Sequence, residues 1–302
     1  MHQFLFNERG VISLAAKSVH LTIRRGLSQW HIECVLLNPL GPHVTADINF
    51  REDDMTDLSC MTFLHKDAQH ILAAGCQHVM YEIDVDKGHV VKRLETKSQY
   101  TMMKYNRYIC AATSTGAIDF LDLGTLQVVK TMQAHTSNIS SMDARNDFLI
   151  TCGWSPRQNT GALGFDIFAT VFDLKRLEQL GPIPFAAGAA FVQIHPKMST
   201  TSVVCSRSGQ VHVTDIMNAG NVKMIHVTLT SFLTALIMSP TGNVWAIADQ
   251  ENNLSLWGSP NNLHFLENPS PTEFADQVAP VAHMAVDSDL YAKLSCAGCL
   301  LG

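Results

Sequence analysis

Val79-Met80-Tyr81-Glu82-Ile83-Asp84 is a short apolar segment that ends on an aspartate, and it returns four times down the chain. The later copies are Ile118-Asp119-Phe120-Leu121-Asp122, Thr170-Val171-Phe172-Asp173, Val211-His212-Val213-Thr214-Asp215 and Leu254-Ser255-Leu256-Trp257. Their terminal markers Asp84, Asp122, Asp173, Asp215 and Trp257 fall 38, 51, 42 and 42 residues apart. Around the last copy the grammar is complete. Phe232 to Ile237 alternates as a strand, and Ser239-Pro240-Thr241-Gly242-Asn243 is a turn in which Pro presets φ and Gly accepts a positive one. Val244 to Ala248 is a second strand, Asp249 to Asn253 a polar turn, and Leu254 to Trp257 the marker strand.

A strand–turn–strand unit repeating every forty-odd residues is the signature of WD-type repeats, each folding as one blade of a β-propeller. One four-stranded blade cannot bury both faces alone, so the copies must stack around a ring. The sequence therefore predicts an all-β, WD-repeat β-propeller with six recognisable blades over 1–33, 56–96, 97–134, 135–183, 184–228 and 229–267. In the first, Val11 to Ala15, His20 to Arg24 and Leu27 to Ile32 read as strands, with Phe4 to Phe6 as a fourth. Residues 33–55, with Pro39, Gly41 and Pro42 and the acidic run Glu52-Asp53-Asp54, read as an irregular insert. The propeller is expected to occupy 1–267, and 268–302 to be an extended linker and a tail without packed structure. Ring closure would depend on His2 to Asn7 reaching the last blade, which predicts a gap or strained seam there.

Composition narrows the function classes. Of 302 residues, 46% are apolar and 16% charged, enough for a sizeable core. The net charge is −6, and the 21 Lys and Arg residues are scattered, reaching only pairs such as Arg24-Arg25 and Lys92-Arg93. A phosphate track needs a basic footprint, so direct nucleic-acid binding is not expected. The start has no basic region leading into an apolar run, and Gly181 to Ile194 is too short and too rich in Pro to span a bilayer. The expectation is a soluble, cytoplasmic protein without a membrane partner.

Candidate site residues come from the one oversized interval. The 51-residue step from Asp122 to Asp173 contains an enlarged turn, Trp154 to Asp166, rich in Gly, Pro and polar residues. Long ordered loops on a rigid scaffold often carry binding, whereas the bland reading is a tolerated surface insertion. His135 sits in the loop ahead of that blade. The repeat grammar pairs such a His with a hydroxyl on the next strand, here Thr151, and an acid, for which Asp147 is the candidate. Cys76, Cys110, Cys152 and Cys205 fall at similar places in successive blades and read as reduced, buried thiols near the channel. Cys296 and Cys299 have metal-ligand spacing without two further ligands, and the histidines 65, 70, 78 and 89 form no ligand set. There is no phosphate loop, nucleophile elbow or paired-carboxylate motif. An enzyme with its site in the channel would need polar side chains on the inner strands. Those strands are read as Ile71 to Ala74, Tyr108 to Ala111, Val203 to Cys205 and Val244 to Ile247, which are apolar packing, so a scaffold is expected instead.

Two strings carry a family resemblance. One runs from Val11-Ile12-Ser13-Leu14 to Arg24-Arg25-Gly26-Leu27. The other is Thr151-Cys152-Gly153-Trp154-Ser155-Pro156-Arg157, continued by Gly161, Asp166 and Val171-Phe172-Asp173-Leu174-Lys175-Arg176. With the blade order, they resemble the N-terminal WD-repeat domain of the catalytic subunit of the PAN poly(A)-nuclease deadenylase, the poly(A)-binding-protein-dependent ribonuclease that shortens mRNA tails. The resemblance covers about residues 8–33 and 56–290. It implies a seven-bladed propeller, of which the first blade is missing here. In the family a linker to a dimeric pseudokinase subunit follows, then a ubiquitin-hydrolase-like domain and a metal-dependent exonuclease. Neither downstream domain is in this sequence, which reads as truncated. The chain itself is thus expected to be a non-catalytic scaffold with no cofactor and no small-molecule substrate. The implied partners are the pseudokinase subunit and, indirectly, poly(A)-binding protein on poly(A) RNA, with P-bodies as the implied location. Trp154, Arg157 and Asp166 on the turn, and Pro269, Pro271 and Phe274 in the linker, are the partner-binding candidates. The alternative is a generic WD-repeat scaffold of another complex.

Overall fold

The computed structural model describes backbone strands over 2–6, 11–16, 19–25, 30–38 and 41–50, and backbone with side chains over 57–64, 70–85, 87–157, 161–239 and 242–258. Every regular element among these residues is a β-strand, and the strands form six antiparallel sheets that follow one another along the chain. The first is a meander of β1 (His2–Phe6), β2 (Val11–Ala16), β3 (Val19–Arg25), β4 (Trp30–Asn38) and β5 (Gly41–Phe50). The second holds β6 (Leu58–Phe63), β7 (His70–Gly75), β8 (Val79–Asp84) and β9 (His89–Glu95). The third holds β10 (Tyr100–Tyr105), β11 (Ile109–Thr113), β12 (Ala117–Leu121) and β13 (Val128–Gln133).

The fourth sheet is built on β14 (Ile139–Arg145), β15 (Phe148–Pro156) and β17 (Phe168–Asp173), with β16 (Leu163–Phe165) on β15, and β18 (Glu178–Gln179) and β19 (Ile183–Pro184) on β17. The fifth holds β20 (Phe191–Ile194), β21 (Thr201–Cys205), β22 (Gln210–Asp215) and β23 (Asn218–His226). The sixth holds β24 (Leu233–Met238), β25 (Val244–Asp249) and β26 (Leu254–Gly258). The repeated marker segments are therefore the third strands of their sheets.

Neighbouring sheets meet chiefly through their first strands, in the order β6, β10, β14, β20 and β24. These, not the second strands, are the inner strands of the propeller. The second strands Ile71–Ala74 and Ile109–Ala112 are buried throughout because they lie in the middle of a sheet packed on both faces. The fourth strands β9 and β13 are largely exposed at the rim.

The core lies between blades. Cys60, Leu72 and Met80 of the second sheet pack on Tyr100, Met103 and Ile109 of the third. Ile118 and Phe120 of the third meet Met142, Leu149 and Phe172 of the fourth, with the Phe120 and Phe172 rings edge to face at 6.1 Å. Val171 and Cys152 meet Val192 and Val204, and Val203 and Val211 meet Leu233 and Ile247. Each fully buried Phe or Ile contributes roughly 1.5–3 kcal/mol, so no sheet holds its strands without its neighbours.

The marker aspartates owe their recurrence to the turn that follows. Asp122 Oδ1 accepts the backbone N–H of Gly124 at 3.1 Å and of Thr125 at 2.9 Å. Asp173 Oδ1 accepts from Lys175 N at 2.7 Å, Asp215 Oδ1 from Met217 N at 2.9 Å, and Asp84 Oδ1 from Lys87 N at 2.9 Å. Each carboxylate satisfies donors that the tight turn into the fourth strand leaves without ladder partners.

Three expectations are corrected. Within the stretch expected to be an irregular insert, 33–55, residues 33–38 and 41–50 are regular strand, because Trp30–Asn38 and Gly41–Phe50 pair antiparallel from Trp30↔Phe50 to Asn38↔Gly41. Gly41 and Pro42 sit by the hairpin tip, and β5 is the edge of its sheet, so the missing N–H of Pro42 removes no interior ladder bond. His2 to Phe6 does not join the last blade: it pairs with β2 in its own sheet, from His2↔Ala15 to Phe6↔Val11. Finally, Cys76 is exposed just past β7, while Cys110, Cys152 and Cys205 are free thiols buried between sheets, away from the channel. The linker residues Pro269, Pro271 and Phe274 and the thiols Cys296 and Cys299 lie outside the described residues.

Candidate functional site

The enlarged turn is an ordered β-ribbon. Its extra length comes from β15 running on past its pairing with β17, which ends at Thr151, to pair with β16 through Trp154↔Phe165, Ser155↔Gly164 and Pro156↔Leu163. The tip closes by a hydrogen bond from Arg157 N to Ala162 O at 2.9 Å and another from Gly161 N to Arg157 O at 2.9 Å, with Gly161 at φ +65°. The Trp154 and Phe165 rings pack tilted at 33° with centroids 3.9 Å apart. The Arg157 side chain crosses Gly164 so closely that a Cβ there would lie 2.5 Å from Nε.

The base of the ribbon is fixed by a buried polar tie. His135 Nδ1 donates to the Asp166 carboxylate, and Nε2 lies 3.0 Å from Thr151 Oγ1. His135, Thr151 and Asp166 are all buried. Burial alone would raise the Asp166 carboxyl, but hydrogen bonds from His135 and Ser155 outweigh it and hold the group below the usual carboxylate range. Thr170 Oγ1 donates to Ala134 O at 3.1 Å and anchors the same loop. The acid in the tie is thus Asp166 and not Asp147. Asp147 sits in the β14–β15 turn at the far end of the sheet, where it meets Lys175 Nζ at 2.7 Å. The ribbon folds Asp166 back to the end of the sheet that carries His135, across a sequence separation of 31 that spacing alone does not reveal.

Beside the ribbon lies a groove of ≈750 Å³ between Arg157, Phe165, Ile167 and Phe168 on one side and Ala186 to Gly188 on the other. Its wall exposes Ile167, which is 64% accessible. Of the turn candidates, Trp154 forms the aromatic floor of the ribbon and Arg157 supplies a cation at the groove edge. Asp166 lines the groove but has its oxygens committed to the tie. Sequence reasoning missed Phe165, at the end of a three-residue β16 too short to register as a strand, and Ile167, in the bend between β16 and β17.

Ser155 and Asp166 both line the groove, with the Ser155 side chain hydrogen-bonded to the carboxylate that His135 also engages, and no cluster of three His, Cys, Asp or Glu able to hold a metal exists among the described residues. The inner strands are more polar than the second strands, yet their hydroxyls link neighbouring sheets. Ser59 Oγ donates to Tyr100 O at 3.0 Å, Ser140 Oγ to Ala190 O at 2.9 Å, and Ser141 Oγ accepts Val192 N at 3.1 Å. A groove that mixes Phe165, Ile167 and Phe168 with polar groups and one guanidinium is suited to holding a polypeptide segment.

The PAN2 N-terminal family profile matches residues 44–258. The chain belongs to that family. A PAN2-PAN3 deadenylation complex catalytic subunit from Phaeosphaeria nodorum is 47% identical over 284 residues, which is 93% of this chain and 24% of that protein. The corresponding subunit from Aspergillus clavatus is 48% identical over 278 residues, 92% of this chain and 22% of its own length. The chain therefore spans less than a quarter of these PAN2 relatives. The Neurospora crassa Pan2 WD40 domain superposes with a TM-score of 0.72 at 33% identity, covering 88% of this chain and 90% of that domain. The PAN2 N-terminal domain is thus the WD-repeat propeller that the marker spacing predicts.

Proposed function

We propose that this chain is the non-catalytic propeller module of a PAN2-type deadenylase catalytic subunit, supporting poly(A) tail shortening by holding protein partners. The observation that carries the reading is the match to the PAN2 N-terminal family and WD40 fold, together with a solvent-open groove that sets Phe165, Ile167 and Phe168 beside Arg157. The relatives are named as subunits of a PAN2-PAN3 complex. PAN3, the pseudokinase regulatory subunit, is accordingly the proposed direct partner. Poly(A)-binding protein on its RNA is the proposed indirect one, since an acidic surface without a basic track favours contact through protein. The proposed place of action is the cytoplasm, including P-bodies. The divalent metal of the exonuclease belongs to the nuclease domain of the relatives and is not a cofactor proposed here.

The test is co-elution of the chain with PAN3 in size-exclusion chromatography. Deleting residues 268–302 should abolish binding if the exit segment carries it, while undiminished binding would move the interface to the blades. In the full chain, Arg157→Glu together with Trp154→Ala should weaken whatever contact the groove makes. Incubation with adenylate-tailed RNA and Mg²⁺ should leave the tail intact, and shortening that survives contaminant controls would overturn the non-catalytic reading.

A further inference from the structure

The end of the sheets opposite the ribbon carries a second cavity, of ≈580 Å³, between the third and fourth sheets. It is formed where the β10–β11, β12–β13 and β14–β15 turns come together. Tyr105, Asn106, Arg107, Leu123, Arg145 and Asn146 line it, so two guanidinium groups and two carboxamides face the space and no carboxylate does.

The charges around it do not cancel. Asp143 accepts its own neighbour Ala144 N at 3.0 Å and Ile194 N across to the fifth sheet at 2.8 Å. It approaches Arg145 Nε only to 3.8 Å, beyond hydrogen-bonding range. Arg145 Nε is buried and has no hydrogen-bond partner among the described residues. Asp147 is engaged by Lys175 Nζ at 2.7 Å, leaving Arg107 Nη2 at 3.8 Å. Lys104, half-buried on β10, has its ammonium pKa lowered by desolvation and by the charge of Arg145, against an opposing pull from Asp143. Lys104, Arg107, Arg145 and Lys175 thus share two carboxylates, of which Asp143 is bonded to backbone amides and Asp147 is held by Lys175, in a chain whose net charge is −6.

A desolvated guanidinium N–H without an acceptor is an incomplete site, because native structures pair nearly all such groups. From this we propose that the cavity is a carboxylate pocket that receives an Asp or Glu side chain of an acidic partner peptide. Arg145 would be its anchor and Arg107 the second donor. The planar fork of arginine matches a carboxylate with two parallel hydrogen bonds, and the amides of Asn106 and Asn146 can complete the shell. Nucleic acid fits less well, because continuous phosphate binding needs a run of cations leading away from the first contact, and the surrounding chain is acidic.

The test uses the full chain and a fluorescein-labelled hexaglutamate peptide followed by anisotropy, with hexaserine as control. Wild-type protein should bind hexaglutamate and not hexaserine. Arg145→Gln should weaken binding by about tenfold or more, since it removes a charge partner whose guanidinium is partly desolvated. Arg145→Lys should also weaken it, because it keeps the charge and loses the fork. Arg107 is half-exposed, so Arg107→Gln should leave the melting temperature unchanged while weakening binding several-fold, which keeps the test valid if the Arg145 variants fold poorly. Absence of hexaglutamate binding to the wild type, or equal binding by Arg107→Gln and folded Arg145→Gln protein, would overturn the proposal. So would an oligoadenylate of equal charge that binds as tightly and depends on the same arginines, since that would make the pocket a phosphate site.

Discussion

Gly153 passes directly against the imidazole of His135, so closely that a Cβ at position 153 would lie 2.4 Å from His135 Cγ and 2.6 Å from Cδ2. The approach lets His135 reach Thr151 and Asp166 at once and packs its ring over Phe168, with centroids 6.5 Å apart. Gly153 is therefore a packing requirement. Gly153→Ala should destabilise the protein by about 1–3 kcal/mol through overpacking, read as a lower urea midpoint at unchanged slope. Equal stability would mean that the ring can move aside without losing its bonds.

The tie also sets a pH dependence. Because the Asp166 carboxyl is held below its usual range in the folded state, its contribution is fully present above the unfolded carboxylate pKa of about 3.9. That contribution is lost as pH falls through the lower folded value. Asp166→Asn should cost about 1.5–3 kcal/mol at neutral pH, the range for a hydrogen bond to a charged group. The stability gap between wild type and variant should then narrow below about pH 4. Denaturant titrations of both proteins between neutral pH and that acid limit measure it, and a gap independent of pH would mean that the carboxylate charge contributes nothing.

What could be read in advance was local. The third-strand markers have a period because each aspartate caps the same turn, and that geometry depends on only three or four residues. His135 and Thr151 were legible together for the same reason, as fixed positions within one repeat. Asp166 was not, since its place in the tie depends on how far β15 and β16 run together before the chain turns back. The hairpin of Trp30–Asn38 with Gly41–Phe50 was hidden by prolines and a glycine that look like breakers until β5 proves to be an edge strand. The assignment of inner strands failed because a fully apolar strand marks burial between two blades, not nearness to the axis. The Arg107–Arg145 cavity was invisible for a related reason: its residues come from three turns brought together only by blade stacking.

The marker aspartates can be tested one at a time. Asp122 accepts three donors, Gly124 N, Thr125 N and Thr125 Oγ1. Asp122→Ala should cost about 1 kcal/mol, the net worth of a typical hydrogen bond when the freed donors can turn to water. Asp122→Asn keeps an acceptor oxygen and should lose less. Thermal unfolding of the three proteins under one condition decides it. If Asn proves as damaging as Ala, the charge and not the turn geometry would explain why aspartate recurs.

The packing between blades makes a prediction about the thiols. Cys76 is exposed, whereas Cys60, Cys110, Cys152 and Cys205 are buried. Burial pushes the Cys60, Cys110 and Cys152 thiols well above the ordinary range, and that of Cys205 up to about 12. Thiolate is the reactive species, so these four are protected both by access and by protonation. A brief maleimide pulse on native protein, read by peptide mass mapping, should therefore label the Cys76 peptide and spare the other four. Labelling of Cys110, Cys152 and Cys205 should require opening of the cores that adjacent sheets share, and should rise together as urea unfolds the chain. Modification of Cys110 or Cys152 in native buffer at the rate of Cys76 would show that the blades part readily, contrary to the continuous core between the third, fourth and fifth sheets.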